Sequence, residues 1–223
     1  MAWTRQDRTQ QDRTQQDSGA RRGYHHGNLR EALIDAALNL IAQKGPAGFT
    51  FADAARSAGV SSAAPYRHFR DRDALLADVA RRGFEAFEAH LEKAWNGGNP
   101  EPFRAFEALG RAYLSFARDE PAYYSAMFEA GVALDSDAGL RQASDRAFAV
   151  LRRAAEALCA RLPLDKRPPA LMVSLHIWSL SHGIASLFGR GDAGRRALPM
   201  SPEELLEAAV LVYLRGVGLI ADK

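Results

Sequence analysis

Apolar residues at Leu29, Leu33, Ala36, Ala37, Leu40 and Ile41 return at the 3.6-residue spacing that sets them on one face of a helix. Gly45, suited to a left-handed C-cap, and Pro46, which cannot continue the hydrogen-bond ladder, end that helix near Lys44. A second, short helix is predicted from Thr50 to about Ser57, with Asp53 completing a weak capping box. Ala58, Gly59 and Val60 break it. A third short helix is predicted from Ser61 or Ser62 to about His68, with Pro65 tolerated in its first turn, where no N–H is needed. Asp71 caps a long fourth helix that runs to Asn96, Gly97, Gly98, Asn99 and Pro100, the clearest loop in the chain. Further helices are predicted over about 101–118, 121–130, 137–161, 168–188 and 202–220. No sustained alternation of β-branched residues marks a strand, so the expected fold is all-α, with about nine helices.

Three regions follow from the same pattern. Residues 1–22 hold a tandem repeat, Arg8 to Asp12 and again Arg13 to Asp17, with almost nothing apolar to bury, and are expected to form a disordered tail. Residues 23–75 form a first, small helical domain and 76–223 a larger one. The composition, 47% hydrophobic and 25% charged, is that of an ordinary soluble protein. No uninterrupted apolar run reaches the ~20 residues that span a bilayer, and the N-terminus is polar where a secretory signal is apolar, so the expectation is a cytoplasmic protein with no membrane contact. The single cysteine, Cys159, has no partner for a disulfide or a thiolate metal site and reads as a small buried apolar residue.

Net charge, +2, says little until its distribution is considered. Between Arg21 and Arg72 eight Arg/Lys face four Asp/Glu, whereas the remainder of the chain is close to neutral. That excess coincides with two short helices joined by a tight turn, Phe51 to Phe69, the arrangement of a DNA-binding helix-turn-helix. Gly59 permits the turn, Val60 packs it inward, and small or polar side chains at the start of the second helix let its backbone approach base edges in a major groove. Helical hairpins with glycine turns also occur where no DNA is bound, so the unit acquires meaning from its neighbours.

Those neighbours are Tyr66, Arg67, His68 and Phe69, then Arg72, then Leu75 and Leu76. The run resembles the segment that closes the DNA-binding domain of TetR-type regulators: Tyr-x-x-Phe, a basic residue three positions later, and Leu-Leu opening the linking helix. The resemblance extends over residues 24–80 and includes Leu33 to Gly45 and the Phe49-Thr50 entry. It implies phosphate contacts from Tyr66 and from Arg72, where lysine is more usual, and from Thr50 at the start of the second helix. Within the recognition segment Ser62, Ala63 and His68 are the candidates for facing the bases, and Ser61 and Arg67 are further candidates for contact with DNA. Pro65 departs from the family pattern, which has an aliphatic residue before the tyrosine, and so alters the path of the recognition helix. The basic, aromatic stretch from Arg21 to His26 admits two readings, an arm that touches DNA through Arg22 and Tyr24 or a solvated tail; two adjacent histidines are too few for a metal site.

Farther along, His176, Trp178, His182 and Gly183 resemble the signature of a subset of TetR-type C-terminal domains named for Trp, His and Gly. Trp178 and His182, four residues apart, share a helix face, whereas His176 points elsewhere. Aromatic and sulfur side chains at Tyr113, Phe116, Tyr123, Tyr124, Met127 and Phe128 gather on the middle helices. With Trp178 and His182 they either line a pocket for an apolar or aromatic effector or fill the core. The last two helices carry surplus apolar residues, among them Leu175, Leu187, Leu206, Val210, Tyr213 and Val217, which points to a homodimer. The expected function is a regulator, a repressor or else an activator, that binds a palindromic double-stranded DNA operator and answers to a small molecule through its fourth helix, the one element expected to join reading head and pocket. An enzyme or small-molecule carrier is the alternative class. It finds no support in a nucleophile elbow, a phosphate-binding glycine loop or a metal-spaced cluster, and no cofactor or metal is expected.

Overall fold

The computed structural model describes residues 29–189 and 199–220, which form eight α-helices with no strand among them. In chain order these are α1 (Leu29–Lys44), α2 (Phe51–Ser57), α3 (Arg72–Trp95), α4 (Pro102–Asp119), α5 (Pro121–Phe128), α6 (Ala138–Cys159), α7 (Ala170–Gly189) and α8 (Pro202–Gly216). The tail before Gly23, with Arg22, and the adjoining Tyr24 lie outside the described residues.

The count is one short of expectation because the segment after Gly59 forms a single 3-10 turn, Ala64–Arg67, in place of a third α-helix. Pro65 is the reason. In an α-helix the Ser61 carbonyl would accept the N–H of residue 65; proline has none, and the carbonyl takes the Ala64 N–H instead at 3.0 Å. Before the turn, α2 ends in a Schellman motif, with Val60 N–H donating to Ala55 O at 3.0 Å and Gly59 N–H to Arg56 O at 3.1 Å. The motif requires a left-handed residue, and Gly59 supplies it at φ +70°.

Long α3 is the axis of the molecule. It packs on α1 at its start and on α4, α5 and α6 farther along, and α4 and α6 in turn support α7, with α8 against α4 and α7. One core runs from Leu33 on α1 to Leu214 on α8. Expectation made α3 the only bridge between the N-terminal helices and the rest; α1 also packs directly on α5. Charge fastens the same junction. Arg82 on α3 donates through two nitrogens to the Glu31 carboxylate on α1, both at 2.5 Å, and buried Asp78 accepts from Arg81 at 2.7 Å and pairs with Arg30 of α1 at 3.1 Å.

α3 and α5 approach most closely at Gly83, where an added Cβ would lie 2.9 Å from both Cγ and Sδ of Met127 and 3.3 Å from Cβ of Tyr123. Gly83→Val is therefore expected to wedge the helices apart and cost about 1–2 kcal/mol through overpacking, measurable by urea unfolding. An unchanged midpoint would mean that Met127 simply moves aside.

Helix α7 corrects one expectation. Its 20 residues are long and apolar enough, by length and composition, to cross a bilayer, because serines and histidines interrupt the run without lowering its average much. In the fold α7 packs against α4, α6 and α8, while Leu171, Leu175 and Leu187 stay exposed.

Candidate functional site: a nucleic-acid interface and a cavity

Ser61, Ser62, Ala63, Tyr66, Arg67 and His68 are all exposed, on either side of Pro65 and ahead of Phe69, which are buried. The two buried residues anchor the segment and turn the others to solvent. Tyr66 is 63% exposed, and its ring meets Phe51 edge-on with centroids 5.0 Å apart. An apolar rest under one side of the ring leaves the phenol projecting from the surface.

Thr50 caps α2 in a reciprocal box: its hydroxyl oxygen accepts the Asp53 N–H at 3.1 Å, while the Asp53 carboxylate accepts the Thr50 N–H at 2.9 Å and its hydroxyl at 2.7 Å. Those bonds, the side-chain one foremost, hold the Asp53 carboxyl below its ordinary range. The hydroxyl must exchange Asp53 for a phosphate before it can contact DNA.

Arg72 is more deeply committed. Its Nε donates to Phe49 O at 2.9 Å, an Nη donates to Pro46 O, the guanidinium lies 4.9 Å over the Phe49 ring, and the other Nη faces Asp73 at 3.5 Å. The side chain thus ties the loop between α1 and α2 to the start of α3. Sequence reasoning had no signal for this duty, because both carbonyls belong to a loop more than twenty residues away.

The second part of the site is a partly open cavity of about 410 Å³ lined by α3, α4, α5, α6, α7 and α8. Of the side chains proposed for it from sequence, Tyr113, Met127, Phe128 and Trp178 line the wall. Tyr124 and His182 stand behind it: the Tyr124 and Tyr113 hydroxyls both reach His182 Nδ1, at 2.8 and 3.2 Å, and the imidazole packs among Trp178, Tyr124 and Phe128. Phe116 is buried against Phe87 and His90, and Tyr123 lies half-buried beside Gly83; neither is on the wall. Burial first, then neighbouring Tyr124, pushes the Tyr113 phenol well above its ordinary range, with a smaller opposing pull from Trp178. Tyr113 is accordingly a neutral hydrogen-bonding group at any physiological pH.

Sequence reasoning missed most of the apolar wall, including Phe84, Phe87, Phe103, Phe106, Phe148 and Leu151, since these fall on helical stripes that read as core. Leu206 and Val210 on α8, assigned from sequence to a dimer face, are buried and line the cavity. The charged lining residues Glu107, Arg111, Asp145, Glu203 and Glu207 remain at least partly in water, where Arg111 pairs with Glu207 at 2.9 Å and Arg118 with Glu203 at 3.1 Å, joining α4 to α8. No cluster of three or more His, Cys, Asp or Glu suited to a metal occurs among the described residues, and Cys159 is buried, its thiol pushed up by that burial.

An exposed short segment after a glycine turn, joined through α3 and the packing of α1 on α5 to a helical body with an apolar cavity, fits the class of helix-turn-helix regulators. The particular family follows from the comparisons. Residues 33–79 match the family model of bacterial regulatory proteins of the tetR family, and residues 106–213 match that of the tetracyclin repressor-like C-terminal domain. The chain belongs to the TetR family and is a DNA-binding transcription regulator. Among solved structures, a protein of unknown function from Rhodococcus sp. RHA1 is 31% identical with a TM-score of 0.72, the match covering 87% of this chain and 98% of that one. A tetR-family regulatory protein from Rhodococcus RHA1 is 21% identical, with TM-score 0.65 and coverage of 87% and 98%. The regulator PfmR from Thermus thermophilus is 20% identical, with TM-score 0.64 and coverage of 82% and 97%; these two likenesses are of fold. No curated protein matches the chain.

Proposed function

We propose that this regulator is a cytoplasmic repressor that binds a palindromic operator as a homodimer and leaves it when a mostly apolar small molecule occupies the cavity. The observation that carries the reading is the cavity itself, because α3, which forms one of its walls, follows directly on the reading segment in the chain and packs on α1, against which that segment rests. An effector releases DNA only if it binds the non-operator spacing of the two reading heads more tightly than the operator spacing. Filling a space between α3 and its neighbours acts on that spacing directly. The domain division at about residue 75 is part of the same reading, with the first turns of α3 shared between the two parts.

For the dimer, the support is the exposed apolar side chains of α7, Leu171, Leu187 and Leu175 at the cavity's edge, together with Val212 on α8. A two-fold pair would carry its reading segments to successive major grooves about 34 Å apart. Sedimentation at micromolar concentration tests it, and a monomer would overturn it.

On DNA, Ser62, Ala63 and His68 are assigned to base edges, Tyr66, Arg67, Arg72 and Thr50 to the backbone, and Ser61 to one or the other, with Arg22 and Tyr24 in the preceding arm. Tyr66→Phe is expected to weaken every DNA sequence alike, and Arg67→Ala to do so while lowering the salt slope by about 1. Binding titrations from 50 to 200 mM salt read both, and a loss confined to one operator position would reassign the residue to base reading. A gel shift with the DNA upstream of this protein's own gene tests the function as a whole.

A further inference from the structure

Of the four serines on α7, Ser181 alone lines the cavity. Ser174 and Ser179 each donate to the carbonyl four residues back, Ala170 O at 2.7 Å and Leu175 O at 2.8 Å, the ordinary way a helix satisfies a serine. Ser181 is only 2% exposed and lines the cavity, yet its hydroxyl forms no hydrogen bond among the described residues. A hydroxyl that lines a cavity without a partner in the protein is available to whatever occupies that cavity, and the surrounding wall is mostly apolar.

Beside it on the wall is Tyr113. Its hydroxyl and that of Tyr124 meet one nitrogen, His182 Nδ1, which has either one lone pair or one hydrogen to offer. Tyr124, at 2.8 Å, has the better place and Tyr113, at 3.2 Å, the weaker one. The Tyr113 hydroxyl thus holds the longer of the two bonds to His182, the one for which an acceptor on a ligand competes. Of the uncharged polar residues of the lining, Ser181 and Tyr113 are buried, whereas Ser144 and Trp178 are half-exposed, and the charged ones, four carboxylates and Arg111, are partly or fully exposed.

We propose that Ser181 and Tyr113 form the polar pole of the cavity, and that its ligand is an uncharged, largely apolar molecule with a single carbonyl or hydroxyl group set against that pole. The inference rests on the effector-chamber reading and names its ligand class. An ionised head would have to shed its water beside groups that offer no opposite charge, whereas a neutral carbonyl accepts from both hydroxyls.

The test is calorimetric titration of the full chain with four ten-carbon-scale probes: decan-2-one, its hydrocarbon isostere 2-methyldec-1-ene, decanoate and decylammonium. Decan-2-one is expected to bind most tightly, with the two ions at least about tenfold weaker. Ser181→Ala should weaken decan-2-one about three- to tenfold, the loss of one neutral hydrogen bond, and leave 2-methyldec-1-ene unchanged. Tyr113→Phe should do the same, with folding of both variants checked by circular dichroism. Tighter binding of either ion, equal losses for ketone and alkene in Ser181→Ala, or no binding of any probe would overturn the assignment. Operator binding separates the two readings: if decan-2-one binds as described while operator affinity is unmoved, the polar pole stands and the effector chamber falls.

Discussion

Asp78→Ala is expected to lower the melting temperature by roughly 6–12 °C, from a loss of about 3 kcal/mol in a chain of this size. The carboxylate is 6% exposed and surrounded by Arg30, Arg81 and Arg82, the last with Nε 3.6 Å away. Removing it leaves three guanidinium groups with no common counter-charge at the junction of α1 and α3. The figure sits at the low end for a broken buried pair because the arginines keep part of their surface in water. Burial by itself would raise the Asp78 carboxyl, but hydrogen bonds from Arg81 and Arg30 and the attraction of their charges outweigh it, and the carboxyl lies below its ordinary value near 3.8. A depressed folded value means that the stabilisation is present above the ordinary value and is lost as pH falls through the lowered one. The gap in melting temperature between wild type and Asp78→Ala should therefore be full at pH 7 and close on acidification below about pH 4. Thermal melts across that range decide the matter; a gap that persists at the acid end would mean that packing, and not charge, holds the site.

Arg72→Ala carries the second large effect. Its guanidinium satisfies two loop carbonyls, covers the Phe49 ring and links α1, α2 and α3 at one point, so the variant is expected to lose about 2–3 kcal/mol of stability in addition to operator affinity. Arg72→Lys keeps the charge and loses the two-pronged geometry, and should recover DNA binding at low salt better than it recovers the melting temperature. If Arg72→Ala melts with the wild type and only its salt slope changes, the residue is a phosphate contact alone and the loop tie is dispensable.

Sequence and structure divide according to where each kind of information resides. Helix limits were legible because caps and breakers are local: Thr50, Asp71 and Ser201 accept N–H groups three residues on, and Gly45 and Gly59 adopt the positive φ that their positions implied. Pro65 was visible as a departure, and its consequence, a 3-10 turn in place of a helix, also depends on a bond to a near neighbour that proline cannot make. The exposure of residues 61–63 and 66–68 has a related cause, since it follows from the buried Pro65 and Phe69 close by in the chain.

The cavity was not legible. Apolar periodicity says which face of a helix is turned from water, and it is the same for a face that meets another side chain and for one that meets a void. Phe116 and Phe87 touch each other, yet only Phe87 reaches the cavity; Leu206 and Val210 turn inward although their pattern suited a dimer face equally well. The commitment of Arg72 to two distant carbonyls, the meeting of Tyr113 and Tyr124 at His182, and the placing of the Ser181 hydroxyl on an apolar wall all depend on elements remote in the chain. The sequence by itself determined the helices and the glycine turn, because each depends on bonds within a few residues. Only the tertiary structure decided which apolar faces line a cavity and which polar groups are left to meet a ligand, because both depend on how distant helices happen to fit.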